Sequence, residues 1–114
     1  MDHIQKAPGD VIMNLRREVK EKLKEEIVAG LASFPEVQRV VVFGSFVTSD
    51  DPHDMDIAIF QDSDESYYPL AMKYRRTLRS VAKKIPLDVI PIRRMPEEGP
   101  FMQEIQKGEV MYER

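Results

Sequence analysis

Residues 37–60 read VQRVVVFGSFVTSDDPHDMDIAIF, and the fold turns on how this stretch is parsed. Its opening, Val37-Gln38-Arg39-Val40-Val41-Val42-Phe43, is a β-branched run that suits a buried strand, and Gly44-Ser45 ends it. After the turn-rich residues 49–53 comes Asp54-Met55-Asp56-Ile57-Ala58-Ile59-Phe60, which alternates over its first half and reads as a second strand. Side chains alternate across a strand, so Asp54 and Asp56 project from one face while Met55, Ile57 and Ile59 project from the other. On a helix the two carboxylates would point about 200° apart and could not share an ion. Neighbouring carboxylates on one face repel, and a fold tolerates that chiefly when a cation lies between them or water surrounds them.

Upstream, Asp10 is placed to cap a helix running toward Phe34, with Val11, Leu15, Val19, Leu23, Ile27 and Leu31 spaced by four. Four residues turn a helix by about 400°, so this stripe drifts by about 40° per step. Its two ends therefore face different ways, either because the helix bends around its own core or because its N-terminal half meets a partner. Downstream, Tyr67, Leu70, Ala71, Tyr74, Leu78, Val81, Ala82 and Ile85 recur at three and four, predicting one long helix begun near Ser66 with Pro69 in its first turn. Residues 87–92 form a third strand, in which Asp88 is flanked by Leu87 and Val89. A last helix is expected from Pro100 to Lys107, stopped by Gly108, with residues 109–114 as a tail. The order helix, strand, strand, helix, strand, helix predicts an α/β (α+β) fold with a small three-stranded mixed sheet packed with helices.

Residues 1–114 read as a single domain with its core at about 37–92. The chain has no cysteine, which removes disulfides, thiol nucleophiles and Cys-containing zinc sites and fits a cytoplasmic protein. Two histidines, His3 and His53, exclude a His-rich metal site, so any metal must be held mainly by carboxylates. The longest apolar runs, 40–43 and 57–60, fall far short of a membrane span. A net charge of -3 argues against nucleic acid as the main partner. The local exception is Lys73, Arg75, Arg76, Arg79, Lys83 and Lys84, a basic stretch without an acidic residue that reads as a solvated helix face or a contact surface.

Magnesium suits Asp54 and Asp56, because it takes oxygen ligands and commonly combines a few carboxylates with substrate phosphates. Asp88 completes a three-carboxylate cluster if the third strand pairs with the second. Gly44 lets the backbone approach a phosphate closely, and Ser45 adds a hydroxyl donor at a short helix expected over residues 46–49.

Taken together, Val42-Phe43-Gly44-Ser45, Asp54-Met55-Asp56 and Leu87-Asp88-Val89 resemble the nucleotidyltransferase superfamily that includes DNA polymerase beta. More closely, the chain resembles the minimal nucleotidyltransferase, or MntA-like, antitoxins, over about residues 37–92, and the tail 101–113, with Gly108 before Val110 and Tyr112, is similar to that family's C-terminal segment. That resemblance implies that Gly44 and Ser45 hold a nucleoside triphosphate, ATP in the first instance. It also implies that Asp54, Asp56 and Asp88 bind two magnesium ions, with Asp88 helping to activate the acceptor hydroxyl. Members of the family often carry a basic residue soon after Gly-Ser, whereas residues 46–51 here hold none and offer the hydroxyls of Thr48 and Ser49 instead. The implied reaction moves a nucleoside monophosphate onto a hydroxyl and releases pyrophosphate. The implied partner is a small helical HEPN-type toxin, with self-association as the other way to cover the cleft. The alternative is a catalytically weak or inactive binding module on the same fold.

Overall fold

The computed structural model describes residues 8–93 and 99–114, with side chains described from residue 17 onward. In chain order the elements are α1 (Pro8–Leu31), β1 (Val37–Phe43), α2 (Ser45–Thr48), β2 (Met55–Gln61), α3 (Tyr67–Thr77), α4 (Arg79–Ala82), β3 (Leu87–Ile92), α5 (Pro100–Gln106) and β4 (Glu109–Glu113). The sheet order is β3-β2-β1-β4, with β1 antiparallel to both β2 and β4 and β2 parallel to β3. The sheet therefore has four strands where three were expected, because residues 109–113 pair along β1 instead of forming a tail. Their signal is weak for a physical reason. An edge strand covered on one side needs few apolar residues, and Glu109 and Glu113 close off only Val110, Met111 and Tyr112 between them.

The two faces of the sheet are covered unequally. On one, Val40, Val42, Met55, Ile57, Ile59 and Val89 pack with Leu23, Ile27 and Leu31 of α1, Leu70 and Tyr74 of α3, and Leu78 and Val81. On the other, Val41, Phe43, Ala58 and Ile92 form a smaller cluster with Ile105 of α5, where the Phe43 and Phe101 rings meet edge to face at 5.9 Å.

Two helices differ from expectation. Helix α1 already includes Pro8, so Asp10 lies within its first turn and not at its cap; the side chains of Val11 and Leu15 lie outside the described residues. Leu23, Ile27 and Leu31 are buried but Val19 is 55% exposed, as the 40° drift of a four-residue spacing requires. The expected single helix from 66 to 85 is two, broken at Leu78 (φ -98°, ψ 20°). Leu78, Val81 and Ile85 stay buried across the break, so the hydrophobic period passes through it unaltered and could not reveal it.

One partly buried polar contact ties α3 to the start of β1. The Tyr74 hydroxyl and the Lys73 ammonium both donate to Glu36 Oε2 at 2.9 Å, and Tyr74 is fully buried with its ring edge-on to Phe34. Burial raises the Glu36 carboxyl pKa, but hydrogen bonds from Lys73, the backbone and Tyr74 outweigh it, and the net effect is a lowered pKa. Glu36→Ala should cost about 1–3 kcal/mol, because it leaves the Tyr74 hydroxyl buried without a partner; urea unfolding checks this, and Tyr74→Phe in the same background should recover part of the loss. The carboxylate's contribution is present above its unfolded pKa of about 4.3 and is lost as pH falls through the lower folded value.

Candidate nucleotide and metal site

The end of β1, the start of β2 and the start of β3 meet at one edge of the sheet. Asp56 on the central strand β2 lies opposite Phe43 on β1 and in register with Asp88 on β3. Asp56 shares its face of β2 with Ala58, which belongs to the cluster beneath α5, so the carboxylate emerges on the α5 side. The Ser45 hydroxyl donates to Asp54 Oδ1 at 3.0 Å, linking the turn after β1 to the residue before β2. Asp54 and Asp88 are exposed, and Asp56 is half-buried between them.

The electrostatics reflect this crowding. Burial pushes the Asp56 carboxyl up, and the charges of Asp54 and Asp88 together with a hydrogen bond to Asp88 raise it further, to about 6. A parallel register that brings Asp88 against Asp56 is thus the source of the third carboxylate, and no single-sequence pattern displays it.

Among the described residues no group of three or more His, Cys, Asp or Glu side chains closes into a ready-made metal cage. Magnesium seldom uses one: it binds through one or two carboxylates plus waters and substrate phosphates. The donors here are oxygen only, they repel one another, and two of the three are open to solvent. That set fits a hard divalent cation completed by a phosphate ligand.

Gly44 holds the site together by having no side chain. Its φ of 78° with ψ of -152° is a conformation that essentially only glycine adopts, and a Cβ there would lie 2.8 Å from Asp56 Oδ2. Gly44→Ala should therefore cost about 1–3 kcal/mol in chemical unfolding, whereas Ser45→Ala, at an exposed position, should change stability by less than about 0.5 kcal/mol.

Sequence reading missed the opposite wall. Glu104 of α5 and Lys107, which caps that helix, line a cavity of about 260 Å³ together with Gly44, Ser45, Val47 and Thr48. More than fifty residues separate the two walls, so only the packing of α5 on the sheet brings them together. The basic stretch is partly spent on structure. Lys73 bonds Glu36 and Glu65, and Lys84 bonds Glu26, while Arg75, Arg76, Arg79 and Lys83 stand exposed.

Residues 25–114 match the profile of the family described as Polymerase beta, Nucleotidyltransferase. The chain belongs to this nucleotidyltransferase family. No curated protein matches it. Among solved structures, this nucleotidyltransferase chain is similar to the complex of a tri-AMPylated Shewanella oneidensis HEPN toxin with MNT antitoxin. That match has a TM-score of 0.60 at 19% identity, over 83% of this chain and 73% of that one. A toxin–antitoxin structure with AMP-PNP matches with a TM-score of 0.60 at 20% identity, over 80% and 73% of the two chains. The MntA–HepT toxin–antitoxin structure matches with a TM-score of 0.57 at 18% identity, over 82% and 73%. At these identities the likeness concerns the fold. The family match extends through α5 and β4, so the fourth strand and the Lys107 wall lie within the nucleotidyltransferase domain. No helix among the described residues is long and apolar enough to cross a membrane.

Proposed function

We propose that this nucleotidyltransferase moves a nucleoside monophosphate, with ATP as donor, onto a hydroxyl of a HEPN-type partner protein and thereby acts as its antitoxin. The observation that carries the reading is the register of Asp56 with Asp88, next to Asp54 and directly against Gly44-Ser45. Similarity to toxin–antitoxin complexes, one with AMP-PNP and one with a tri-AMPylated toxin, supports the donor and the partner.

In this reading Gly44 leaves room for the phosphate chain, and the Ser45 hydroxyl is a donor that can turn from Asp54 to a phosphate oxygen. Asp54, Asp56 and Asp88 would hold magnesium, which when bound neutralises charge developing on the attacking and leaving oxygens. Asp88, at the exposed rim, is placed to take the proton of the acceptor hydroxyl as that oxygen attacks the α-phosphorus. The new bond joins the acceptor oxygen to phosphorus, and the bond to the β-phosphate oxygen breaks with release of pyrophosphate. The rim carboxylates face solvent, so a second molecule must bring the acceptor and cover the site.

The test is transfer of α-labelled ATP to a co-expressed HEPN-type protein, with and without magnesium. Label on the partner that requires magnesium and disappears in Asp54→Asn supports the reading. Neutralisation of the partner by tight association, with no label transferred and no nucleotide bound, would replace it with a binding module on the same fold.

A further inference from the structure

Residues 46–51, which span the rest of α2 and the turn after it, contain no lysine or arginine, yet a triphosphate carries several negative charges in a site already crowded with carboxylates. A cation reaches the same place from a distant part of the chain. Lys107 follows the last turn of α5 and lines one cavity with Gly44, Ser45 and Thr48. Two features of the fold put it there. Helix α5 packs Ile105 and Phe101 against the sheet face from which Asp56 emerges. Gly108 then lies so close to β1 that a Cβ on it would be 2.5 Å from the Val42 oxygen. The backbone on either side of Lys107 is thus pinned next to the residues leading into Gly44. Its ammonium is exposed and forms no ion pair among the described residues, unlike Lys24, Lys73 and Lys84, which are all engaged with glutamates.

We infer that Lys107 is the phosphate-binding cation of this site, contacting the β- or γ-phosphate of the bound nucleoside triphosphate from the α5 wall. The inference rests on the nucleotidyltransferase reading above and adds a residue to it. An ammonium held beside the Gly44-Ser45 turn donates charge-assisted hydrogen bonds to phosphate oxygens, the same task a basic residue within 46–51 would perform. Glu104 lines the same cavity and offsets part of the positive field, so the effect expected of Lys107 is moderate. Thr48, exposed at the end of α2 and on the same cavity, is the position from which another cation could replace it.

The experiment compares binding of ATP with magnesium and binding of AMP by calorimetry, in wild type, Lys107→Gln and Thr48→Arg/Lys107→Gln. Lys107→Gln should weaken ATP binding about tenfold and AMP binding by less than about twofold, because AMP has no β- or γ-phosphate. Thr48→Arg in that background should restore at least half of the loss on a logarithmic scale. Both substitutions are at exposed positions, and an unchanged thermal melt will confirm that the variants fold. ATP binding by Lys107→Gln equal to wild type would overturn the assignment of Lys107 and leave the nucleotidyltransferase reading standing. Equal weakening of ATP and AMP would also overturn it, since the lysine would then serve the nucleoside. Failure of wild type itself to bind ATP would overturn the underlying reading and the inference with it.

Discussion

Asn in place of Asp56 should abolish nucleotide transfer and, in the absence of divalent cations, raise the melting temperature. The two effects have one cause. Asp56 is held half-buried between Asp54 and Asp88, and burial together with their charges lifts its carboxyl to about 6, so at neutral pH the ionised fold carries an unfavourable cluster. The isosteric amide removes one of the three charges and can donate its N–H to the Asp88 carboxylate. A gain of about 1 kcal/mol, or roughly 4 °C in melting temperature, is expected by calorimetry with EDTA present. Transfer of labelled nucleotide should fall by about 10³-fold or more, since the amide neither neutralises a cation nor orients it as a carboxylate does. Activity within tenfold of wild type would remove Asp56 from the catalytic machinery. A lower melting temperature would mean that its charge serves the fold.

Gly108→Ala should have the largest effect on stability. A Cβ at this position would meet the Val42 carbonyl oxygen at 2.5 Å, Val41 Cγ1 at 2.8 Å and Phe43 Cβ at 3.0 Å. None of these is the far end of a flexible side chain. Val42 is paired with Ile57 on β2 and with Glu109 on β4, so moving its carbonyl aside means disturbing the middle of the sheet. A loss of about 3 kcal/mol or more is expected, lowering the melting temperature by at least roughly 12 °C. Urea unfolding followed by far-ultraviolet circular dichroism measures it. Because Val42 leads directly through Phe43 to Gly44, nucleotide binding should weaken in the same variant even where it remains folded. A loss below about 1 kcal/mol would show that β4 docks less tightly on β1 than the backbone contact requires.

The position of Gly108 bears on what a sequence displays. It reads as a helix stop, which it is: α5 ends at Gln106. Its second task, admitting β4 against β1, leaves no local trace, because the contact is with residues more than sixty positions earlier. Strands β1 and β3 were legible with their full bounds because each carries a short apolar run, Val40–Phe43 and Val89–Ile92, that is largely buried. Strand β4 was not, since a half-exposed edge strand with glutamates at both ends needs little apolar pattern. The break at Leu78 was hidden because the inward-facing positions on either side of it keep their helical spacing.

The candidate site divides in the same way. Alternation along residues 54–60 points from the sequence alone to Asp54 and Asp56 side by side, although β2 itself begins at Met55 and Asp54 falls just before it, and the Gly-Ser pair after an apolar strand marks where a close backbone approach is possible. These are local properties, set by residue type and by the two-residue period of a strand. That Asp88 meets Asp56, and that Lys107 and Glu104 stand across from Gly44, was decided only by tertiary structure. The first depends on the register in which two parallel strands slide together, and a shift of one residue would turn Asp88 to the opposite face. The second depends on α5 crossing back over the sheet to bury Ile105 and Phe101. Both follow from minimising exposed apolar area over the whole chain, a condition that no short window of residues contains.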